Sequence, residues 1–182
     1  GAGLYAVIVS LKPVAAEFDA SRSEVSLAYA ATMLGFGVGG IAMGWLSDRV
    51  GVMWPAILGA GSLALGMVVA ATAQSLWVFI LAHGLLIGAV GNASVMVSLV
   101  ADITRWFTAH RGIAVAIVIS GNYVAGAIWP PVVQFGISTI GWRETYIGMG
   151  MLCLVTMILF AGILYRRAPP DTIVTATTQG GD

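Results

Sequence analysis

Charge is what this sequence has least of: of 182 residues 9% are charged, eight basic and eight acidic, while 59% are apolar. Soluble domains carry roughly 25% charged residues, so a water-soluble globular fold is excluded and no nucleic-acid partner is expected. Cysteine is nearly absent as well. Cys153 stands alone inside an apolar run, which rules out an internal disulfide and a thiolate metal site. The two histidines, His83 and His110, fall on different elements, so neither a metal nor another cofactor is expected. Ser94 and Ser120 lie in apolar runs without a histidine and an aspartate placed to complete a triad, and no phosphate loop is present. An enzyme is therefore not expected. A basic leader is missing too, and Lys12-Pro13 stands where a signal peptide would have its small-residue cleavage site.

What the chain does have is long apolar runs and 24 glycines. Five runs can cross about 30 Å of hydrocarbon at about 1.5 Å per residue, and a shorter one opens the chain. The chain starts at Gly1 without methionine, so residues 1–16 read as the outer end of a first span whose beginning is missing. The other spans are expected at about 25–46, 53–73, 76–102, 112–140 and 143–165. Residues 166–182, rich in Thr, Gly and Pro, read as a flexible tail or the start of a linker. The expectation is an all-α, multi-pass integral membrane protein.

Local signals refine this layout. Ser23 is placed to cap the second helix. Gly35, Gly39, Gly40 and Gly44 form two pairs spaced four apart, the pattern that lets helices touch in lipid. Gly35 to Gly40 also satisfies a GxGxxG nucleotide pattern, but neither a preceding strand nor an acidic residue about 20 positions on accompanies it. Asn92-Ala93-Ser94 matches a glycosylation sequon, yet lies inside a span. Pro130-Pro131 should bend or unwind the outer end of the fifth span, because two adjacent prolines remove two backbone donors.

Gly44-Trp45-Leu46-Ser47-Asp48-Arg49-Val50-Gly51 lies between two apolar runs and reads as a tight turn between spans. It resembles the signature loop of the major facilitator superfamily: Gly44, Leu46, Ser47, Asp48, Arg49 and Gly51 match, while Val52 and Met53 replace the usual basic pair. Arg105-Trp106-Phe107-Thr108-Ala109-His110-Arg111-Gly112 looks like the loop into span five of the monocarboxylate and oxalate-formate porter branch. Gly121, Gly126, Pro130-Pro131 and Gly141-Trp142-Arg143 follow in that branch's order, and Lys12-Pro13, Glu17-Phe18, Ser21-Arg22 and Glu24-Val25-Ser26 resemble its first span and outer loop. The resemblance implies two six-helix halves with substrate between them. This chain would be the six-transmembrane-helix N-terminal half, its first helix truncated and its partner C-terminal half missing.

That family would make the protein a secondary transporter of small organic anions of the monocarboxylate kind, by proton symport or anion exchange. Efflux of drug-like apolar solutes and a non-transporting membrane sensor or subunit are the alternatives. With the Asp48 loop inside, Arg49, Arg105, Arg111, Arg166 and Arg167 lie on the inner side and Lys12, Arg22 and Arg143 on the outer side. That count favours a cytoplasmic signature loop in a plasma or inner membrane.

Several side chains could carry transport. Resemblance suggests that Lys12 recognises a carboxylate; alternatively it snorkels to the interface beside Pro13. Asn122 and Tyr123 interrupt the fifth span at midplane depth, about 15 Å from Gly112, and either contact substrate or bond a neighbouring helix. Trp129 and Gln134, further out, are candidates of the same kind. His83 is the titratable group well inside a span, and its ordinary pKa near 6.5 suits proton coupling; the other reading is a neutral histidine bonded across helices. Asp48 and Arg49, with Gly44 and Gly51 at the turn, and Asp102 with Arg105, three apart, are assigned to inner gating or to end-capping. Arg143 and Glu144 are expected to cap the last span. The partners expected are the anion, a coupling proton or counter-anion, and membrane lipid.

Overall fold

The computed structural model describes residues 2–106 and 110–164. The elements are α1 (Ala2–Glu17), α2 (Arg22–Val50), α3 (Met53–Ala71), α4 (Leu76–Leu81), a π segment (Ala82–Asn92), α5 (Ala93–Trp106), α6 (Arg111–Ile140) and α7 (Trp142–Leu164). Among the described residues there is no strand. In hydrocarbon every backbone N–H and C=O must be bonded within its own segment, and helices satisfy that condition. Among the described residues, four stretches are long and apolar enough to cross a membrane: Arg22–Val50, Met53–Ala71, Leu76–Ala101 and Gly112–Ile140.

Three local expectations are corrected. The signature stretch is not a loop. Helix α2 runs through it to Val50, closed by the Gly51 N–H on the Ser47 carbonyl at 3.0 Å, and the chain turns only at Gly51 (φ 86°) and Val52. Nothing from Gly44 to Val50 breaks a helix, whereas the positive φ at position 51 suits glycine. The cap of α2 is Ser21, not Ser23. Its hydroxyl accepts from the Glu24 N–H at 3.3 Å, and the Glu24 carboxylate accepts from the Ser21 N–H at 2.8 Å, a capping box one residue before Arg22. Finally, α6 stays helical across Pro130 and Pro131 to Ile140. Unwinding would strip further amides and carbonyls of partners where water cannot replace them, so the helix absorbs two missing bonds instead.

The core is built where glycines remove side-chain bulk. Gly35 and Gly39 of α2 lie against the backbone at Gly84 and Ala89 of the π segment, and Gly88 lies against Thr32; a Cβ on Gly88 would stand 2.5 Å from the Thr32 carbonyl. Gly37, Gly40 and Gly44 face open space, so one of the two glycine pairs makes the packing face. In the π segment the hydrogen bonds reach five residues back, as from the Ala93 N–H to the Gly88 carbonyl. Helix α3 packs against both that segment and α7, and Met67 of α3, Phe79 of α4, Ile87 of the π segment and Tyr146 of α7 are fully buried in one apolar core.

Candidate functional site

Helix α1, the first turn of α2 and the proline-bearing part of α6 meet around a cleft of about 630 Å³, lined by Ile8, Val9, Leu11, Lys12, Arg22, Pro130, Pro131 and Gln134. Small-ligand sites are typically 300–1,000 Å³, roughly. Lys12 and Gln134, two of the residues singled out in the sequence, thus share one opening with Arg22, which was not singled out. The signal for Arg22 was its place among the three cations of this side and the Ser21-Glu24 spacing that caps α2 ahead of it.

The lining of the cleft includes two cations and no carboxylate; of the acids near it in sequence, Asp19 is exposed and forms no ion pair with either cation, and Glu24 and Glu17 are engaged with other groups. Glu24 is held in the capping box, where its carboxylate accepts from the Ser21 N–H at 2.8 Å and from the Ser21 hydroxyl at 2.7 Å. Glu17, at the polar end of α1, accepts from Arg143 Nε at 2.9 Å, Arg143 Nη2 at 2.6 Å and Trp142 Nε1 at 2.5 Å. Arg143 also donates through Nη1 to the Ala71 carbonyl and through Nη2 to the Ala73 carbonyl at 2.9 Å, and its guanidinium lies 4.7 Å from the Trp142 ring centroid. The expectation that Arg143 caps its own helix is thus corrected: its bonds go to Glu17, Ala71 and Ala73. A cation belongs at a helix C-terminus, and Arg143 reaches those of α1 and α3, the latter extended by the turn to Ala73.

This latch has a pH signature. The Arg143 hydrogen bonds hold the Glu17 carboxyl below its ordinary value of 4.5, against a smaller upward push from burial; Trp142 and the Arg143 charge add to the lowering. A depressed carboxylate stabilises the fold above pH 4.5 and loses that contribution as pH falls through its lowered value. Acid unfolding, followed by tryptophan fluorescence, should therefore show a stability loss below pH 4.5 that is smaller in Glu17→Gln. An equal acid sensitivity in wild type and variant would mean that the latch does not respond to its proton.

His83 is fully buried. Its Nδ1 lies 2.9 Å from the Phe79 carbonyl and its Nε2 3.3 Å from the Tyr146 hydroxyl, which lies 2.9 Å from Ser10 Oγ. A carbonyl can only accept, so Nδ1–H donates to Phe79 and the Tyr146 hydroxyl donates to Nε2, while the one hydrogen of the Ser10 hydroxyl is shared between Tyr146 and the Val7 carbonyl, 3.2 Å away. The π segment, α7 and α1 are joined by this line, inside an aromatic cluster in which the Phe79 centroid is 4.3 Å from that of His83. Neither Ser10 nor Tyr146 could be singled out in the sequence, because nothing in spacing pairs residues 136 positions apart.

The other sequence candidates lie elsewhere. Asn122 is exposed two turns inward of Pro130, and its backbone carbonyl accepts from the Tyr5 hydroxyl at 3.2 Å. Tyr123 is exposed and Trp129 packs partly against the core; none of these three lines the cleft. At the far end of α2, Gly44 faces open space, Asp48 is exposed, and Arg49 sits 3.9 Å over the Trp45 ring centroid. Asp102 and Arg105 are in α5, but their side chains, like the Thr104–Arg111 loop at 107–109 and the tail 166–182, lie outside the described residues.

Comparisons with known proteins bear on this geometry. Over 132 residues the chain is 27% identical to the MFS-type transporter pynF of Aspergillus niger, covering 72% of this chain and 30% of the relative. Over 143 residues it is 32% identical to monocarboxylate transporter 11 of Mus musculus, covering 74% and 31%. Over 164 residues it is 28% identical to the probable sulfoacetate transporter SauU of Cupriavidus necator, covering 90% and 37%. The chain thus spans about a third of the length of these curated relatives. The sequence model of the Major Facilitator Superfamily matches residues 1–181, and with an all-α membrane fold around it, this chain belongs to the Major Facilitator Superfamily of transporters.

Proposed function

We propose that the chain is part of a secondary active transporter of small organic anions, working by alternating access as a proton symporter or an anion exchanger. The observation that carries this reading is the cleft in which Lys12, Arg22 and Gln134 meet without a carboxylate. A carboxylate leaving water needs charge-assisted hydrogen bonds to offset its lost hydration, and this lining offers them. The names of two relatives, the mouse monocarboxylate transporter 11 and the probable sulfoacetate transporter of Cupriavidus, support the same class of substrate.

In this reading a second set of helices, in the part of the relatives beyond the chain's reach, closes the opposite wall, and substrate passes between the two. The Gly51 end faces the cytoplasm, with Arg49 and the other arginines of that side obeying the positive-inside rule. There Asp48 and Arg49, and Asp102 with Arg105, hold the inner side shut. His83 takes the coupling proton. Its charged form would donate from Nε2 and oblige the Tyr146 hydroxyl to turn toward Ser10, so Ser10, Tyr146 and His83 respond together.

The test is uptake of labelled lactate, formate and oxalate into proteoliposomes containing the whole protein, with and without an inward proton gradient. Lys12→Ala should lower uptake of all transported acids by about tenfold or more, the cost of one charge-assisted bond, and His83→Gln should remove only the gradient dependence. Uptake of apolar dyes but of no acid would replace the proposal with efflux.

A further inference from the structure

The line from His83 ends on the backbone of the helix that carries Lys12. The Ser10 hydroxyl lies 2.9 Å from the Tyr146 hydroxyl and 3.2 Å from the Val7 carbonyl, with one hydrogen to serve the two. While His83 is neutral, Tyr146 donates to Nε2 and the Ser10 hydrogen is shared. When His83 is charged, Nε2–H donates to Tyr146, Tyr146 donates to Ser10, and the Ser10 hydrogen passes wholly to Val7. In the ladder of α1 the Val7 carbonyl serves the Leu11 N–H, and a hydroxyl bonded back to a carbonyl of its own helix loosens and bends that helix. The same stretch is weakened from its other end, because Pro13 lies inside α1 and leaves the Val9 carbonyl without its N–H. Lys12 stands between these two points. Ser10 is fully buried and Lys12 exposed, about 200° apart around the helix. One face of α1 thus meets the His83 line, and the other, through Leu11 and Lys12, lines the cleft. Both ends of α1 are tied, Tyr5 to the Asn122 carbonyl and Glu17 to Arg143, so a change of bend displaces the stretch between them. The titratable group that faces His83 is Tyr146. Helices α3 and α4 carry no charged residue, those of α2, α5 and α7 stand near the helix ends, and on α1 Glu17 is held by Arg143 and Trp142.

We infer that Ser10 is the positioning residue that couples the proton to the anion: it passes the state of His83 to the bend of α1 between Val7 and Pro13, and so to the placing of Lys12 in the cleft. This inference rests on the anion-transport reading, with His83 as proton site, and deepens it. Ser10 touches neither proton nor anion. Because coupling between two sites is reciprocal, a proton at His83 improves the hold on an anion at Lys12, and a bound anion favours the charged His83.

Initial uptake of labelled lactate, formate and oxalate into proteoliposomes containing the whole protein would be measured over a range of concentrations at about pH 5.5 and about pH 7.5. The pH is kept equal on both faces, so that KM reports the hold on the anion and not a driving gradient. For wild type, KM should be about fivefold or more lower at the acid pH. Ser10→Ala, Tyr146→Phe and Pro13→Ala should each still take up anion but bring that ratio below about twofold, the first two by cutting the line and the third by giving Val9 its N–H back. Loss of packing alone would lower the rate at both pH values and leave the KM ratio as in wild type. A full ratio in Ser10→Ala or in Pro13→Ala, with the ratio abolished in His83→Gln, overturns the inference and leaves His83 as the proton site. A wild-type ratio near one, or a ratio unchanged in His83→Gln, removes His83 as the proton site, and uptake of no acid removes the anion-transport reading; the inference falls with either.

Discussion

Gly39→Ala should lower the melting temperature of the detergent-purified protein by on the order of 10 °C, while Gly40→Ala, the next residue on the same helix, should leave it unchanged or raise it. A methyl at position 39 would be driven into the Ala89 carbonyl of the π segment, a backbone atom that no rotamer change can move aside. Overpacking of this kind costs about 3 kcal/mol, and for a chain of this size each kcal/mol moves the midpoint by roughly 2–4 °C. At position 40 a methyl meets nothing within 4 Å, and replacing a helix-interior glycine by alanine gains about 0.5–1 kcal/mol. The opposite signs at adjacent residues are what make the pair informative. If both variants melt alike, α2 and the π segment are not in backbone contact along Gly35 and Gly39.

The same two glycines show how far the sequence could be read. Four-residue spacing identified a packing stripe, because small residues at that interval share a helix face. It could not distinguish Gly35-Gly39 from Gly40-Gly44, since which face meets a partner depends on where the partner lies. The membrane fold was legible from composition and run length. The turn chemistry at Asp48 was misread, because charge in an apolar sequence suggests a loop, whereas an exposed charge is equally at home on the last turn of a helix. At the cleft, Lys12 and Gln134 were visible as polar breaks in apolar runs, and Arg22 was passed over as an ordinary loop cation. Its importance comes from what Glu17 and Glu24 are doing instead of neutralising it; the capping box of Glu24 is local and readable, but the hold of Arg143 on Glu17 is tertiary. The His83 line was half legible: the histidine stood out, but Tyr146 and Ser10 became its partners only through packing of α7 and α1 on the π segment.

Arg143→Ala should be the costliest single change at the cleft end of the bundle, and its effect should reach the ligand. The guanidinium joins the ends of α1 and α3 to the start of α7, through Glu17 and the carbonyls of Ala71 and Ala73. Removing it takes this donor from two carbonyls and leaves the Glu17 carboxylate with the Trp142 indole N–H alone; hydrogen bonds to charged groups contribute about 1.5–3 kcal/mol each, reduced here because solvent reaches both partners. A loss of about 2–3 kcal/mol, read as a lower melting temperature, is expected. Lysine should not restore it, having one point charge where three acceptors are served. Released Glu17 would also place an unmatched negative charge about 7.5 Å along α1 from Lys12, at 1.5 Å per residue, which is within a Debye length of about 8 Å. Anion uptake at low substrate should therefore fall in Arg143→Ala and fall less in the double variant Glu17→Gln/Arg143→Ala, whereas thermal stability should stay low in both. Recovery of stability together with uptake would mean that the latch acts only through the charge of Glu17. Recovery of neither would show that it serves the fold alone, and that the two cations of the cleft owe nothing to the clamp that keeps Glu17 occupied.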